Sequence, residues 1–208
     1  MDNKRIAHIE RNTKETEIKI ALIIEGTGKS EINSEIGFFN HMLELMSKHG
    51  LFDLKAQIKG DLEVDQHHTV EDTGLALGKA FDTALEDKRG IKRSGFFIHP
   101  MDEALAMVAI DISGRPFVKL DAGLLGNEVG DFTAVLLEDF FHGFATSLGA
   151  AIHVQVYYGR SDHHRMESIF KAFGKALKNA CKIEERIRNE ILSTKGTIYL
   201  SCDTEKEN

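Results

Sequence analysis

Two segments of the chain open with a histidine pair and carry a glutamate at the same offset: His67-His68-x-x-Glu71 and His163-His164-x-x-Glu167. On a helix, residues three and four apart share a face, so each histidine lies on the side of its glutamate. Neighbouring residues project about 100° apart, so one pair does not readily serve a single ion. The economical arrangement is two ions, with each histidine of a pair reaching a different one. Imidazole with carboxylate suits Mn, Fe, Zn or Ni, and the lack of thiolates in the motif argues against a soft-metal site. One HHxxE alone is equally well explained as a solvated helix start. Two copies inside a repeat are not, because independent surface histidines have no reason to recur.

The repeat is explicit. Residues 67–81 read HHTVEDTGLALGKAF and residues 163–177 read HHRMESIFKAFGKAL, with seven of 15 positions identical. Each segment follows a helix pattern, a glycine and a strand pattern. The preceding helices read as residues 38–49 and 132–148, closed by Gly50 and Gly149 in the position after the last turn. The strands that follow read as 51–58 and 151–158. Residues 16–24 alternate apolar and charged positions, the mark of a half-buried strand, and Gly26-Thr27-Gly28 turns the chain. Residues 91–99, 104–112 and 116–120 are also strand-like. The reading is an α+β fold of duplicated halves, with antiparallel sheets backed by helices. The halves divide as 1–92 and 93–200, together forming one domain, with a polar tail over 201–208. Gly78 and Gly174 occupy matched mid-helix positions. Each costs about 1 kcal/mol against alanine, which predicts close helix–sheet contact in both halves.

The same symmetry extends the ligand set. His41 lies nine residues before Gly50, and Asp139 lies ten before Gly149. With His67, His68, Glu71, His163, His164 and Glu167 they make eight donors, four per ion, leaving positions for water or substrate. Repeat symmetry favours Asp139. His49, His142 and His153 stay open as competitors, His142 because it would lie near Asp139 on a helix and His153 as a mid-strand side chain.

Composition narrows the partners. Lys and Arg number 26 against 33 Asp and Glu, a formal charge of -7. An acidic chain without basic runs is a poor candidate for nucleic acid or anionic membrane. A small phosphorylated molecule remains possible, since a pocket needs only a few local cations. Cys181 and Cys202 form no CxxC pair, which points to a reducing, cytoplasmic compartment. The opening residues MDNKRIAHIERN have no apolar core of signal-peptide length.

Four stretches carry a family resemblance: FNHMLELMSKHG, DQHHTVEDTGLALG, PMDEALAMVAIDISGRP and HHRMESIFKAFGKAL. Together they resemble imidazoleglycerol-phosphate dehydratase of histidine biosynthesis, in its monofunctional form, over roughly residues 4–200. The resemblance implies duplicated ferredoxin-like (split β-α-β) halves and loss of water from imidazole-glycerol phosphate to give imidazole-acetol phosphate. It implies two Mn2+ ions per site, with sites at subunit interfaces of a homo-oligomeric 24-mer. Coordination of a ring nitrogen would stabilise imidazolate and draw electrons toward the leaving hydroxyl. The base that the resemblance implies is Glu15, in RNTKETEI. Glu71 and Glu167 complete the catalytic set, as ligands rather than free bases. Arg93, Arg115, Lys171, Ser193 and Lys195 match the phosphate contacts, and Asp102 and Asp111 read as structural. Three positions depart from the family pattern: Asn40 where DHML is usual, Asp139 where some members have HFF, and Leu192 where PSTKG is usual. The rival readings are a di-metal hydrolase of a small phosphate ester and a metal-storage protein. Hydrolysis would release inorganic phosphate, whereas dehydration keeps it and makes a ketone.

Overall fold

The computed structural model describes residues 4–198, so Cys202 and the polar tail lie outside the described residues. The first half runs β1 (Ile6–Asn12), β2 (Thr16–Ile23), β3 (Ser30–Asn33), α1 (Gly37–Gly50), β4 (Asp53–Gly60) and α2 (His67–Leu85). The second half runs β5 (Ser94–Met101), β6 (Ala104–Asp111), β7 (Phe117–Asp121), a small hairpin β8 (Glu128–Val129) and β9 (Phe132–Thr133), then α3 (Leu136–Leu148), β10 (Ala151–Tyr158) and α4 (Asp162–Cys181). The sheets have matching orders, β1-β2-β4-β3 and β5-β6-β10-β7. Three strands of each are antiparallel, and the last edge strand runs parallel, β3 to β4 and β7 to β10. Duplication is thus visible in topology as well as in sequence.

Strict alternation makes β2 and β6 one-sided. In β2, Thr16, Ile18, Ile20 and Leu22 point inward, and Glu17 and Lys19 point out. In β6, Ala104, Ala106, Val108 and Ile110 do the same, the pattern a period of two dictates. The helices cover the inner faces, and they pair across the halves: α1 packs on α4 and α2 on α3. Much of the core between them is phenylalanine. Phe141 and Phe144 of α3 meet Phe173 of α4 edge-to-face at 5.0 Å, an arrangement aromatic rings favour. Among the described residues no helix is long and apolar enough to cross a membrane.

Several sequence expectations shift. The strands β1 and β3 carry no strong pattern of their own and are evident only in the structure. Leu51, not Gly50, takes the left-handed conformation that ends α1, with φ 60°. Gly50 is helical because its face meets α4: a Cβ there would lie 3.0 Å from the Gly174 carbonyl oxygen. Gly149 does end α3 in the left-handed region, as expected. That helix begins at Leu136 rather than at 132, because Phe132 and Thr133 pair in the β8–β9 hairpin. The strand expected at 91–99 is shifted to Ser94–Met101, since Ile91 bridges to Ile183 instead. Helix α4 runs on past 177 to Cys181, which is buried and free.

The matched glycines serve helix–helix contact rather than helix–sheet contact. A Cβ on Gly78 would sit 2.4 Å from the Phe144 carbonyl oxygen, and one on Gly174 would sit 2.3 Å from that of Met46. Both clashes are with backbone, which has little freedom to retreat. Gly78→Ala and Gly174→Ala are therefore each expected to destabilise the protein by about 1–3 kcal/mol, despite the gain in helix propensity. Denaturant midpoints measure this, and a stabilised variant would show that propensity wins.

Candidate metal centre

Close approach of α1 and α4 brings the first cluster together. His41 meets Glu167, and Met46 meets Gly174 further along both helices, so the two run in the same direction. His41 Nε2 lies 2.9 Å from Glu167 Oε1, and His163 Nε2 lies 3.1 Å from the same oxygen. The donor atoms of His41, His163 and Glu167 all fall within 4.8 Å of one another. Lys171, one turn on, donates to Glu167 Oε2 at 2.6 Å. Burial pushes the Glu167 carboxyl up, but its hydrogen bonds with Lys171 and His41 outweigh burial and hold it at about 2. Phe38 packs edge-on against His163 at 5.0 Å and limits its ring.

A second, looser group forms by pseudo-symmetry where α2 meets α3. His67 lies 3.8 Å from Glu71 through Nε2 and 3.6 Å from Asp139 through Nδ1. The structure thus brings Asp139 to the place that repeat symmetry assigns it. His142 pairs loosely with Glu138 at 3.7 Å, His153 stacks near Phe117 on the outer sheet face, and His49 faces His99; none of the three joins either group. Two differences of sequence accompany the looser geometry. Aspartate has a shorter side chain than histidine, and the repeat position of Lys171 is filled by Leu75, which carries no charge.

The other histidine of each pair turns away. Rings of His67 and His68 are inclined at 74°, and those of His163 and His164 at 89°. His68 Nδ1 lies 3.1 Å from Asp61 Oδ2, which raises the pKa of the ring. His164 Nδ1 lies 2.7 Å from Glu103 Oε2, which raises its own; the same bond, with backbone N–H groups, holds Glu103 at about 2. Glu15 lies on the exposed β1–β2 turn, 3.9 Å from His68 Nε2. That turn is held by Thr13 Oγ1, which accepts from the Glu15 and Thr16 N–H groups. Buried Asp72 of α2 anchors it in turn, accepting from Thr16 Oγ1 at 2.6 Å and Arg11 at 2.7 Å.

The expected phosphate residues separate into two places. Arg93, Arg115, Ser193 and Lys195 line one cavity of about 410 Å3, while Lys171 sits with Glu167. Arg93 takes the left-handed conformation, φ 65°. Asp111 holds its guanidinium at 2.8 and 3.0 Å, and the Leu192 carbonyl accepts from it at 2.8 Å. Leu192 therefore contributes its backbone oxygen, which proline would also offer. Asn40 is similarly benign: its Oδ1 accepts from the Ser34 N–H at 2.8 Å and hydroxyl at 2.6 Å, as a carboxylate would.

Sequence reasoning missed the groups that hold these helices in place. Asp131 accepts from the Gly37 and Phe38 N–H groups at 2.6 and 2.8 Å and caps α1. Gln66, just before α2, donates to the Asp131 carbonyl and accepts from the Thr133 N–H. Asp162, in the first turn of α4, accepts from Leu125 and Gly126. One connection, residues 122–133, thereby fastens three helix starts. Isolated acidic residues in a loop gave no signal of this.

Glu167 makes acid stability diagnostic. Its carboxyl falls from 4.5 to about 2 on folding, so its contribution is complete above pH 4.5 and lost as pH drops toward 2. That contribution is on the order of 3 kcal/mol. In chelated protein, Glu167→Gln is expected to be less stable at neutral pH and to lose less between pH 4.5 and 2. Equal acid sensitivity in urea titrations would remove Glu167 as the source.

Over most of its length the chain is similar to known dehydratases. The family model described as imidazoleglycerol-phosphate dehydratase matches residues 34–177. A dehydratase of that name from Clostridium botulinum (strain Langeland) is 51% identical over 193 residues, covering 93% of this chain and 98% of its own. One from Koribacter versatilis is 50% identical over 194 residues, with 93% and 100% covered. Among solved structures, the Staphylococcus aureus enzyme superposes with TM-score 0.77 at 35% identity, over 86% of this chain and 99% of its own. The Pyrococcus furiosus enzyme, solved in complex with (S)-C348, gives 0.79 at 34% identity, over 91% and 99%. A fold duplicated in this order, with its histidines and glutamates gathered at paired helix starts, belongs to the imidazoleglycerol-phosphate dehydratase family.

Proposed function

We propose that this chain dehydrates D-erythro-imidazole-glycerol phosphate to imidazole-acetol phosphate at a site holding two divalent ions, Mn2+ by preference. Family membership carries the hydro-lyase activity and its place in histidine biosynthesis. The observation that carries the metal reading is the convergence of His41, His163 and Glu167 from opposite halves of the chain. Two imidazoles and a carboxylate that ionises at about 2 are a fitting donor set for such an ion. His67, Glu71 and Asp139 would hold the second ion, with His68 and His164 as further donors to ions shared with neighbouring copies. Bound there, a divalent ion supplies Lewis acidity toward a ring nitrogen of the azole.

The chain's own groups do the rest. Glu15 takes the proton from the hydroxyl-bearing carbon one bond beyond the ring-attached carbon. The carbon–oxygen bond at the ring-attached carbon breaks, its hydroxyl leaves as water with a proton equivalent to the one removed, and the enol left behind tautomerises to the ketone. Its exposure on the turn leaves its carboxylate open to a bound molecule. Arg93, Arg115, Ser193 and Lys195 hold the phosphate, with Lys171 nearer the metal. Fixed cations recognise phosphate without taking part in its chemistry.

A homo-oligomer, and the 24-mer the resemblance implies, is supported by the outer face of the second sheet. There Phe96, Ile98, Phe117 and Tyr157 are exposed, whereas the matching face of the first sheet carries Glu10, Glu17, Lys19, Lys55 and Lys59. Contiguous apolar surface of this kind marks association. The buried, free Cys181 supports a reducing, cytoplasmic setting.

His67→Ala and His163→Ala are each expected to lower metal content and assembly mass together; light scattering that finds the mass unchanged would exclude bridging ions. Glu15→Gln is expected to retain metal and assembly but lose turnover, and an active variant would reassign the base. Turnover should release ketone without inorganic phosphate. Phosphate release would instead establish the hydrolase.

A further inference from the structure

The two histidines that turn away from the clusters share a feature the repeat did not announce. Each ring is held at Nδ1 by a carboxylate from outside its own helix: His68 by Asp61 at 3.1 and 3.2 Å, and His164 by Glu103 at 2.7 Å. An ionised carboxylate only accepts, so Nδ1 must be the donor in both pairs. The neutral ring then keeps its proton on Nδ1 and its lone pair on Nε2, on the opposite edge.

The holding groups come from different elements. Asp61 follows β4, at the start of the connection to α2, whereas Glu103 lies on the turn between β5 and β6. Glu103 is instead the counterpart of Glu15, each being the residue just before the second strand of its half. In the first half, that place approaches His68 from the Nε2 side, and Asp61 takes Nδ1. In the second half, it has swung to Nδ1 of His164. Two unrelated carboxylates thus reach one outcome for two related histidines.

Resting on the metal reading above, we propose that Asp61 and Glu103 are positioning residues, which fix His68 and His164 in the Nδ1–H form and present Nε2 to the metal ions. Neither touches substrate or ion. A carboxylate behind a metal-binding imidazole orients the ring and strengthens it as a ligand, and its loss typically lowers metal affinity 10–100-fold.

Asp61 provides the cleaner test, because among the described residues its carboxylate accepts from His68 alone. Glu103 also accepts from the Arg160 and Ser161 N–H groups, so its loss would also loosen the start of α4. The experiment titrates Mn2+ into chelated full-length protein, followed by electron paramagnetic resonance, for wild type, Asp61→Ala and Asp61→Asn. Melting of the metal-free proteins is recorded alongside. Asp61→Ala should bind about 10–100-fold more weakly with near wild-type metal-free melting. Asp61→Asn, which keeps an acceptor oxygen, should recover part of the loss. Wild-type affinity in Asp61→Ala would overturn the proposal, as would an Asn variant as weak as Ala. Glu103→Ala and Glu103→Gln repeat the comparison at His164 and are read by the same criteria. A wild-type protein that binds no Mn2+ would sink the metal reading itself, a result distinct from either of these.

Discussion

The site depends on how closely two helix backbones approach. At Gly174 and Gly78 no side chain separates a helix of one half from a carbonyl of the other, and any Cβ would overlap that oxygen. This contact sets the spacing at which His41 of one repeat reaches Glu167 of the other. It also explains why both repeats keep a residue that weakens an isolated helix. Helix propensity is given up to gain a cross-repeat contact, so neither half could form the cluster alone.

Direction matters as much as distance. Because α1 and α4 run the same way, their N-termini lie together, as do those of α2 and α3. Helix starts concentrate partial positive charge, and here they face carboxylates: Glu167 in one pair, Glu71 and Asp139 in the other. The tight cluster also contains Lys171, whose ammonium pairs with the Glu167 carboxylate. The loose one has Leu75 at that place. Such a difference between halves is what duplication permits: one scaffold, made twice, then adjusted residue by residue. Asn40 and Leu192 fit the same view, since each keeps the oxygen that its neighbours use while changing the atoms around it.

Secondary structure was legible where the pattern was periodic. The strands β2, β4, β5, β6, β7 and β10 and the helices α1 to α4 could be read from alternation, the helical stripe and the terminal glycine at Gly149. The edge strands β1 and β3 could not, because IAHIERN alternates poorly and SEIN is only four residues long. The ends of α1 and α3 moved because of pairing and packing partners: Gly50 meets α4, and Phe132 pairs in a hairpin. In the site, residue types and spacing exposed the eight candidate donors. They did not expose Asp61, Asp72, Glu103 or Asp131, which are acidic residues with no periodicity to mark them.

By itself, then, the sequence determined that the fold is duplicated, that metal-binding residue types recur at helix starts, and that the family motifs are present together. These are properties of order and spacing along one strand of chain. Only the tertiary structure decided which histidine meets which glutamate, that His67 and Asp139 share a corner, and that the second histidine of each pair is held away from its cluster by a carboxylate. Those relations join residues up to 126 positions apart. They follow from packing geometry, in which a missing methyl group or a reversed helix would change every distance without altering a single motif.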